Sequence, residues 1–154
     1  MTDGFQLNIR HELAERIGQH GAETFPHECC GALLGRDAGF EENPGAREVL
    51  ELFPLVNRRD DSPRNRFAVT AEDVLDAEKA ARRHGLDVVG WYHSHPDHPA
   101  RPSQFDREHA WPWYSYIIVS VMDGKPAEMT SWRLNDDRQA YTQEQIDIRN
   151  RAAV

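Results

Sequence analysis

The order of elements legible in this sequence predicts an α/β fold, a mixed sheet covered by helices. Three observations carry the prediction. Short apolar, β-branched stretches bounded by Gly and Pro recur along the chain, as in Val88–Tyr92 and Ser115–Val121. Two segments with helical spacing of apolar residues interrupt them, one before and one between the strands. No internal repeat, low-complexity tract or interdomain linker divides the 154 residues, so the expectation is one domain over 1–154 with a polar tail from about residue 136.

Taken in order, Ile9–His20 places Ile9, Leu13 and Ile17 on one helical face, with Gly21 and Pro26 as the expected stop. Cys29–Leu34 (C-C-G-A-L-L) reads as a buried strand starting just after Glu28. Ala38–Ala46, rich in Gly, Asn and Pro, reads as a turn or loop. Glu48–Val56 alternates partly and is expected to run antiparallel to the first strand. Asn57–Asn65 is a charged loop and Arg66–Val69 a short strand. Thr70-Ala-Glu-Asp73 has the form of a capping box: the hydroxyl accepts from the third helical N–H while the acid reaches back. An apolar stripe of Val74, Leu75, Ala77 and Ala81 follows, up to His84-Gly85. Leu86–His93 is a buried strand, and Ser103–Ala110 a short helix limited by Pro112. Ser115–Val121 is the strongest strand pattern, Asp123-Gly124 a hairpin turn, and Ala127–Leu134 its partner. In the polar tail, Gln143–Arg151 is expected to be a short helix.

Composition excludes several roles. With 39% hydrophobic and 29% charged residues the chain is globular rather than disordered. A formal charge of -8 argues against nucleic acid, whose binding needs a basic face. No apolar run approaches the ~20 residues of a membrane helix. The beginning, Met1-Thr-Asp-Gly-Phe, lacks a basic, apolar leader. The only cysteines, Cys29 and Cys30, are adjacent and have no second pair to bridge, which suits a reducing cytoplasm.

The chemistry concentrates in Val88–Asp106, V-V-G-W-Y-H-S-H-P-D-H-P-A-R-P-S-Q-F-D. Side chains alternate along a strand, so His93 and His95 point to the same side at its end. Ser103-x-x-Asp106 is a second capping box, which holds the Asp106 carboxylate at a helix N-terminus where negative charge is favoured. Two imidazoles and one carboxylate, with a fourth position left for water, form the ligand set of a catalytic rather than a structural zinc.

The spacing His-Ser-His, seven residues, Ser-x-x-Asp resembles the JAMM (MPN+) metallopeptidases without a gap, and His27-Glu28-Cys29-Cys30-Gly31 matches their upstream glutamate block. The downstream block is highly specific and the glutamate block alone is weak; similarity of element order extends over roughly Asn8 to Leu134. The resemblance implies a curved, barrel-like mixed sheet flanked by helices, related in shape to the cytidine deaminases. It implies one Zn²⁺ per chain on His93, His95 and Asp106, with Glu28 as general base and Ser103 stabilising the oxyanion. It also implies hydrolysis of an amide at the C-terminal Gly-Gly tail of a ubiquitin-like or sulfur-carrier protein. Such a tail, extended, could add as a strand to a sheet edge near the site. The chain is similar to the compact prokaryotic members, which lack long insertions.

Two other classes stand beside this one. An inactive MPN-type scaffold that binds metal without turnover would have no need of Glu28 and an open ligand set. A deaminase-like hydrolase would use spaced Cys-x-x-Cys ligands and a His-x-Glu pairing, absent here. Of the neighbouring groups, Asp97 and His98 are expected to be solvated. His109 should lie on the helix surface or behind the ligands, and Cys29 and Cys30 should act as core filler. Trp111 and Trp113 read as core or rim packing, with a substrate shelf as the alternative.

Overall fold

The computed structural model describes residues 5–37, 46–56 and 69–149. Seven strands and three helices follow one another as β1 (Gln6–Arg10), α1 (His11–Thr24), β2 (Cys30–Arg36), β3 (Ala46–Leu55), α2 (Ala71–Arg83), β4 (Asp87–Pro96), α3 (Gln104–His109), β5 (Ser115–Met122), β6 (Lys125–Leu134) and β7 (Tyr141–Arg149). The strands close into a barrel in the order β1-β3-β2-β4-β5-β6-β7. Parallel pairs (β1–β3, β1–β7, β4–β5) and antiparallel pairs (β2–β3, β2–β4, β5–β6, β6–β7) mix in it, as the α/β reading requires.

Alternation along the strands separates two cores. Leu7, Ile9, Leu33, Val49, Tyr92, Ile117 and Val119 face inward and meet Leu13 and Ile17 of α1. Ala32, Leu34, Val88, Trp91 and Tyr116 face outward, where Ala77, Ala80 and Ala81 of α2 pack on them. The Thr70 capping box forms as read: Asp73 N–H donates to the Thr70 hydroxyl at 3.1 Å and Thr70 N–H to the Asp73 carboxylate at 3.0 Å. The inward face also carries a polar plug. Arg47, 1% exposed, donates to the Val89 carbonyl and the Ser115 hydroxyl, while Arg133 pairs with buried Glu144 at 2.7 Å.

The structure corrects three expectations. The helix read over Gln143–Arg151 is strand β7, whose inward residues Glu144 and Ile146 finish the barrel wall. The polar tail is therefore part of the sheet through Arg149. Gln6–Arg10 is a strand that sequence reading did not separate from the helix after it. Helix α1 does not stop at Gly21 but runs to Thr24. Gly21 is there for close approach, since a Cβ on it would lie 2.8 Å from Val121 and 3.1 Å from Ser94. Barrel closure leaves no full-length free sheet edge among the described residues. Most of the Ala38–Ala46 loop, the Asn57–Asn65 loop and residues Arg66 to Ala68 lie outside the described residues. Among the described residues no helix is long and apolar enough to cross a membrane.

Candidate metal centre

Strand β4 carries the first two donors. Its run Val88–Tyr92 pairs with β2 and, from Gly90 onward, with β5 as well, with Cys30 opposite His93 on one side and Ile118 on the other. His93 and His95 share the outward side at the strand's end, 2% and 7% exposed, with ring centroids 5.0 Å apart. The Ser103 capping box supplies the third. Asp106 N–H donates to the Ser103 hydroxyl at 3.0 Å, and Ser103 N–H donates to Asp106 Oδ2 at 2.9 Å, which locks the carboxylate's rotamer.

The three side chains converge. One ligand atom from each of His93, His95 and Asp106 lies within 4.8 Å of the others. His93 Nε2 and His95 Nε2 are 3.1 Å apart, and the carboxylate oxygens lie 3.3 and 3.1 Å from them. The Pro99 carbonyl, 2.9 Å from His95 Nδ1, can only accept, so it fixes the proton on Nδ1 and turns Nε2 toward the cluster.

Electrostatics suits a cation at this point. Burial opposes the Asp106 charge, but the adjoining His93 and His95 outweigh it and hold the carboxyl far below the usual carboxylate range. Burial pushes His93 down, toward the neutral form a ligand needs, against the pull of Asp106. For His95 burial is overcome by the hydrogen bond and charge of Asp106, so it is raised. An ionised carboxylate and two imidazoles sharing one point demand a positive charge, and a metal ion there would replace a proton. The donor set thus fits a divalent cation.

Two recesses flank the donors. The first is narrow, about 20 Å³, and aromatic: Trp91, Phe105, Trp111, Tyr116 and Tyr141 surround His93 and Asp106. The second is an open polar cleft of about 430 Å³ lined by Glu28, His95, His98, Arg101, Ser103 and Gln104, among others. Glu28 immediately precedes Cys29 and β2, is 4% exposed, and faces this cleft. The Cys29 N–H donates to the Ser94 hydroxyl at 2.8 Å, and Ser94 N–H to the Cys29 carbonyl at 3.2 Å. The residue between the two histidines therefore fastens the backbone next to Glu28. The structure brings Glu28, His93, His95, Ser103 and Asp106 to one end of the barrel.

The neighbouring groups sort themselves. Asp97 and His98 are exposed, and Asp97 accepts from Asp123 N–H at 2.7 Å, tying β4's end to the β5–β6 turn. His109 stacks on Phe105 at 3.9 Å and bonds the Phe105 carbonyl. Cys29 and Cys30 are buried free thiols, and burial pushes Cys29 up to about 12. The two tryptophans part company: Trp111 rims the aromatic recess, whereas Trp113 covers the Arg47 guanidinium at 4.1 Å. Sequence reading missed Ser94, Ser120, Thr130 and Tyr141. Only Ser94 carried a signal, its place inside His-Ser-His.

The model of the prokaryotic homologs of the JAB domain matches residues 10–135. The chain is 38% identical to a desampylase of Haloferax volcanii, over 78% of this chain and 84% of the relative. It is 28% identical to a CysO-cysteine peptidase of Mycobacterium tuberculosis, over 94% of this chain and 92% of that one. A solution structure of a Desulfitobacterium hafniense protein superposes with a TM-score of 0.78 at 31% identity, covering 94% of both chains. Barrel, gathered donors and these likenesses agree: the chain belongs to the prokaryotic homologs of the JAB domain, the compact prokaryotic type of the JAMM family.

Proposed function

We propose that this protein is a zinc-dependent peptidase that hydrolyses an amide bond at the C-terminal tail of a ubiquitin-like or sulfur-carrier protein. The observation that carries the reading is the convergence of His93, His95 and Asp106 beside buried Glu28 at the mouth of an open cleft. The names of the relatives, a desampylase and a CysO-cysteine peptidase, support the substrate class. The whole chain acts as a single domain, and its two buried free cysteines suit the cytoplasm.

One zinc ion, held by His93, His95 and Asp106, would supply a Lewis acid for the attacking water and the scissile carbonyl. The chain's own groups do the rest. Glu28, a carboxylate in a largely water-excluded position, takes the proton of the attacking water and returns it to the leaving amine. The Ser103 hydroxyl accepts from Asp106 N–H, which leaves its own proton to donate to the oxyanion that develops on the carbonyl. The Pro99 carbonyl and the Ser103 N–H hold His95 and Asp106 in their orientations.

The test separates base from ligand. Glu28→Gln keeps shape and hydrogen bonding but cannot move a proton. It should retain about one zinc per chain and lose ~10²–10⁴ in turnover of a Gly-Gly-linked substrate. Asp106→Asn and His95→Ala should lose metal and activity together. Zinc loss in Glu28→Gln would make Glu28 a ligand, and undiminished turnover would remove it from the mechanism.

A further inference from the structure

Among the described residues that line the polar cleft beside Glu28, Arg101 is a cation on a firmly fastened support. Segment His98–Arg101 follows the His95 strand and is fastened at three successive carbonyls. The Ser120 hydroxyl donates to His98 O at 2.8 Å, His95 Nδ1 to Pro99 O at 2.9 Å, and the Thr130 hydroxyl to Ala100 O at 2.6 Å. Arg101 N–H adds a bond to Pro99 O, and Ala100 is fully buried. The side chain after this clamp, Arg101, lines the cleft with Glu28 and is exposed to it. Among the described residues Arg101 makes no ion pair, although the chain carries a net charge of -8. An Arg with no ion pair among the described residues, on an immobilised backbone, is poised for a carboxylate that arrives with a ligand.

The side of the cleft identifies that ligand. The group that returns a proton to the leaving amine must sit on the leaving-group side of the scissile bond. Glu28 and Arg101 line the same cleft, so a leaving group that enters it to take the proton of Glu28 lies in the recess that Arg101 also lines. When the leaving group is a single terminal amino acid, its free α-carboxylate lies two bonds from the leaving nitrogen. When it is a lysine side chain of a conjugated protein, no carboxylate is near. We propose that Arg101 is a carboxylate-binding residue of the leaving-group subsite, and that it makes this enzyme favour release of a carboxy-terminal amino acid over cleavage of an isopeptide. The inference rests on the assignment of Glu28 given above.

Three substrates test it with the zinc-loaded enzyme: a Gly-Gly tail ending in alanine with a free carboxylate, the same tail as its carboxamide, and the tail joined to the ε-amine of a blocked lysine. The wild type should prefer the free acid. Arg101→Gln should lower kcat/KM for the acid by about 10- to 100-fold, chiefly through KM, the range for a lost charge-assisted pair. It should leave the other two within about twofold, and Arg101→Lys should recover part of the loss. An equal loss on all three substrates, or no wild-type preference for the acid, overturns the proposal. Calorimetry in the Glu28→Gln background separates it from the function reading. Acid-over-amide binding that vanishes with Arg101→Gln supports the subsite even without turnover, whereas cleavage of all three without Arg101-dependent binding sinks the subsite alone.

Discussion

Gly31 offers a quantitative test of how the barrel interior supports the site. It pairs with Tyr92, the residue before His93, and its missing side chain makes room for the Tyr92 ring. In Gly31→Ala the new Cβ would fall on Cε2, Cζ and the hydroxyl of that ring, 2.5 Å from the oxygen, where ordinary contact begins at 3.4 Å. The ring must retreat by about 1 Å, and at 1% exposure it has nowhere open to go. Its hydrogen bond to His20 Nδ1, 2.8 Å long, would stretch past bonding distance. Overpacking costs ~1–3 kcal/mol, and a buried hydroxyl stripped of its partner costs ~1–3 kcal/mol. The expected destabilisation is therefore about 2–6 kcal/mol, read from urea unfolding followed by tryptophan fluorescence. Because the whole effect passes through one ring, Gly31→Ala combined with Tyr92→Ala should cost less than the sum of the two by at least ~1 kcal/mol. A Gly31→Ala protein within ~0.5 kcal/mol of wild type, or strict additivity in the pair, would refute the reasoning.

Other outcomes follow from buried groups. With Cys29 pushed up to about 12 and both thiols buried, neither cysteine should react with iodoacetamide at pH 8 in the native protein, while both should react in urea. Burial, partly offset by Glu23, holds His20 below its ordinary 6.5. The unfolded chain then takes the proton first, so the His20 contribution is complete above pH 6.5 and fades as pH falls below it. The difference in urea midpoint between wild type and His20→Gln should shrink from pH 7.5 to pH 5.5. Glu144→Ala removes the carboxylate that Arg133 pairs with inside the barrel and should cost ~3–5 kcal/mol. Asp147→Ala, which breaks an exposed pair with Arg149, should change stability by less than ~1 kcal/mol in the same titration.

What could be read from the sequence follows from which face a residue shows. Strands β2, β4 and β5 are buried on both faces, so they appear as unbroken apolar runs, and His93 and His95 sit where one run ends. Strand β7 hides its period of two. Its inward positions alternate as Thr142, Glu144 and Ile146, and Glu144 is polar because it neutralises Arg133. Read alone, T-Q-E-Q-I-D-I-R has helix-forming composition; a partner on another strand decides otherwise. Strand β1 was lost because Ile9 serves the same core as Leu13 and Ile17, so a helical spacing ran unbroken across a strand–helix junction. The candidate donor set was legible because the capping box and His-x-His are local in sequence. The clamp on His98–Ala100 was not, since Ser120 and Thr130 reach it from β5 and β6.

The seam of the barrel has a consequence for biosynthesis. Gln6 on β1 finds its partner Gln145 on β7, so β1 leaves the ribosome well before the strand it pairs with. Until β7 emerges, β6 and one side of β1 present bare backbone donors and acceptors, the condition under which strands recruit strangers. Pairing so distant in sequence is also slow to find. A nascent chain halted before Tyr141 would hold every residue of the candidate metal centre and yet carry an open sheet. Its yield of soluble protein should therefore depend more on chaperones than that of the finished chain.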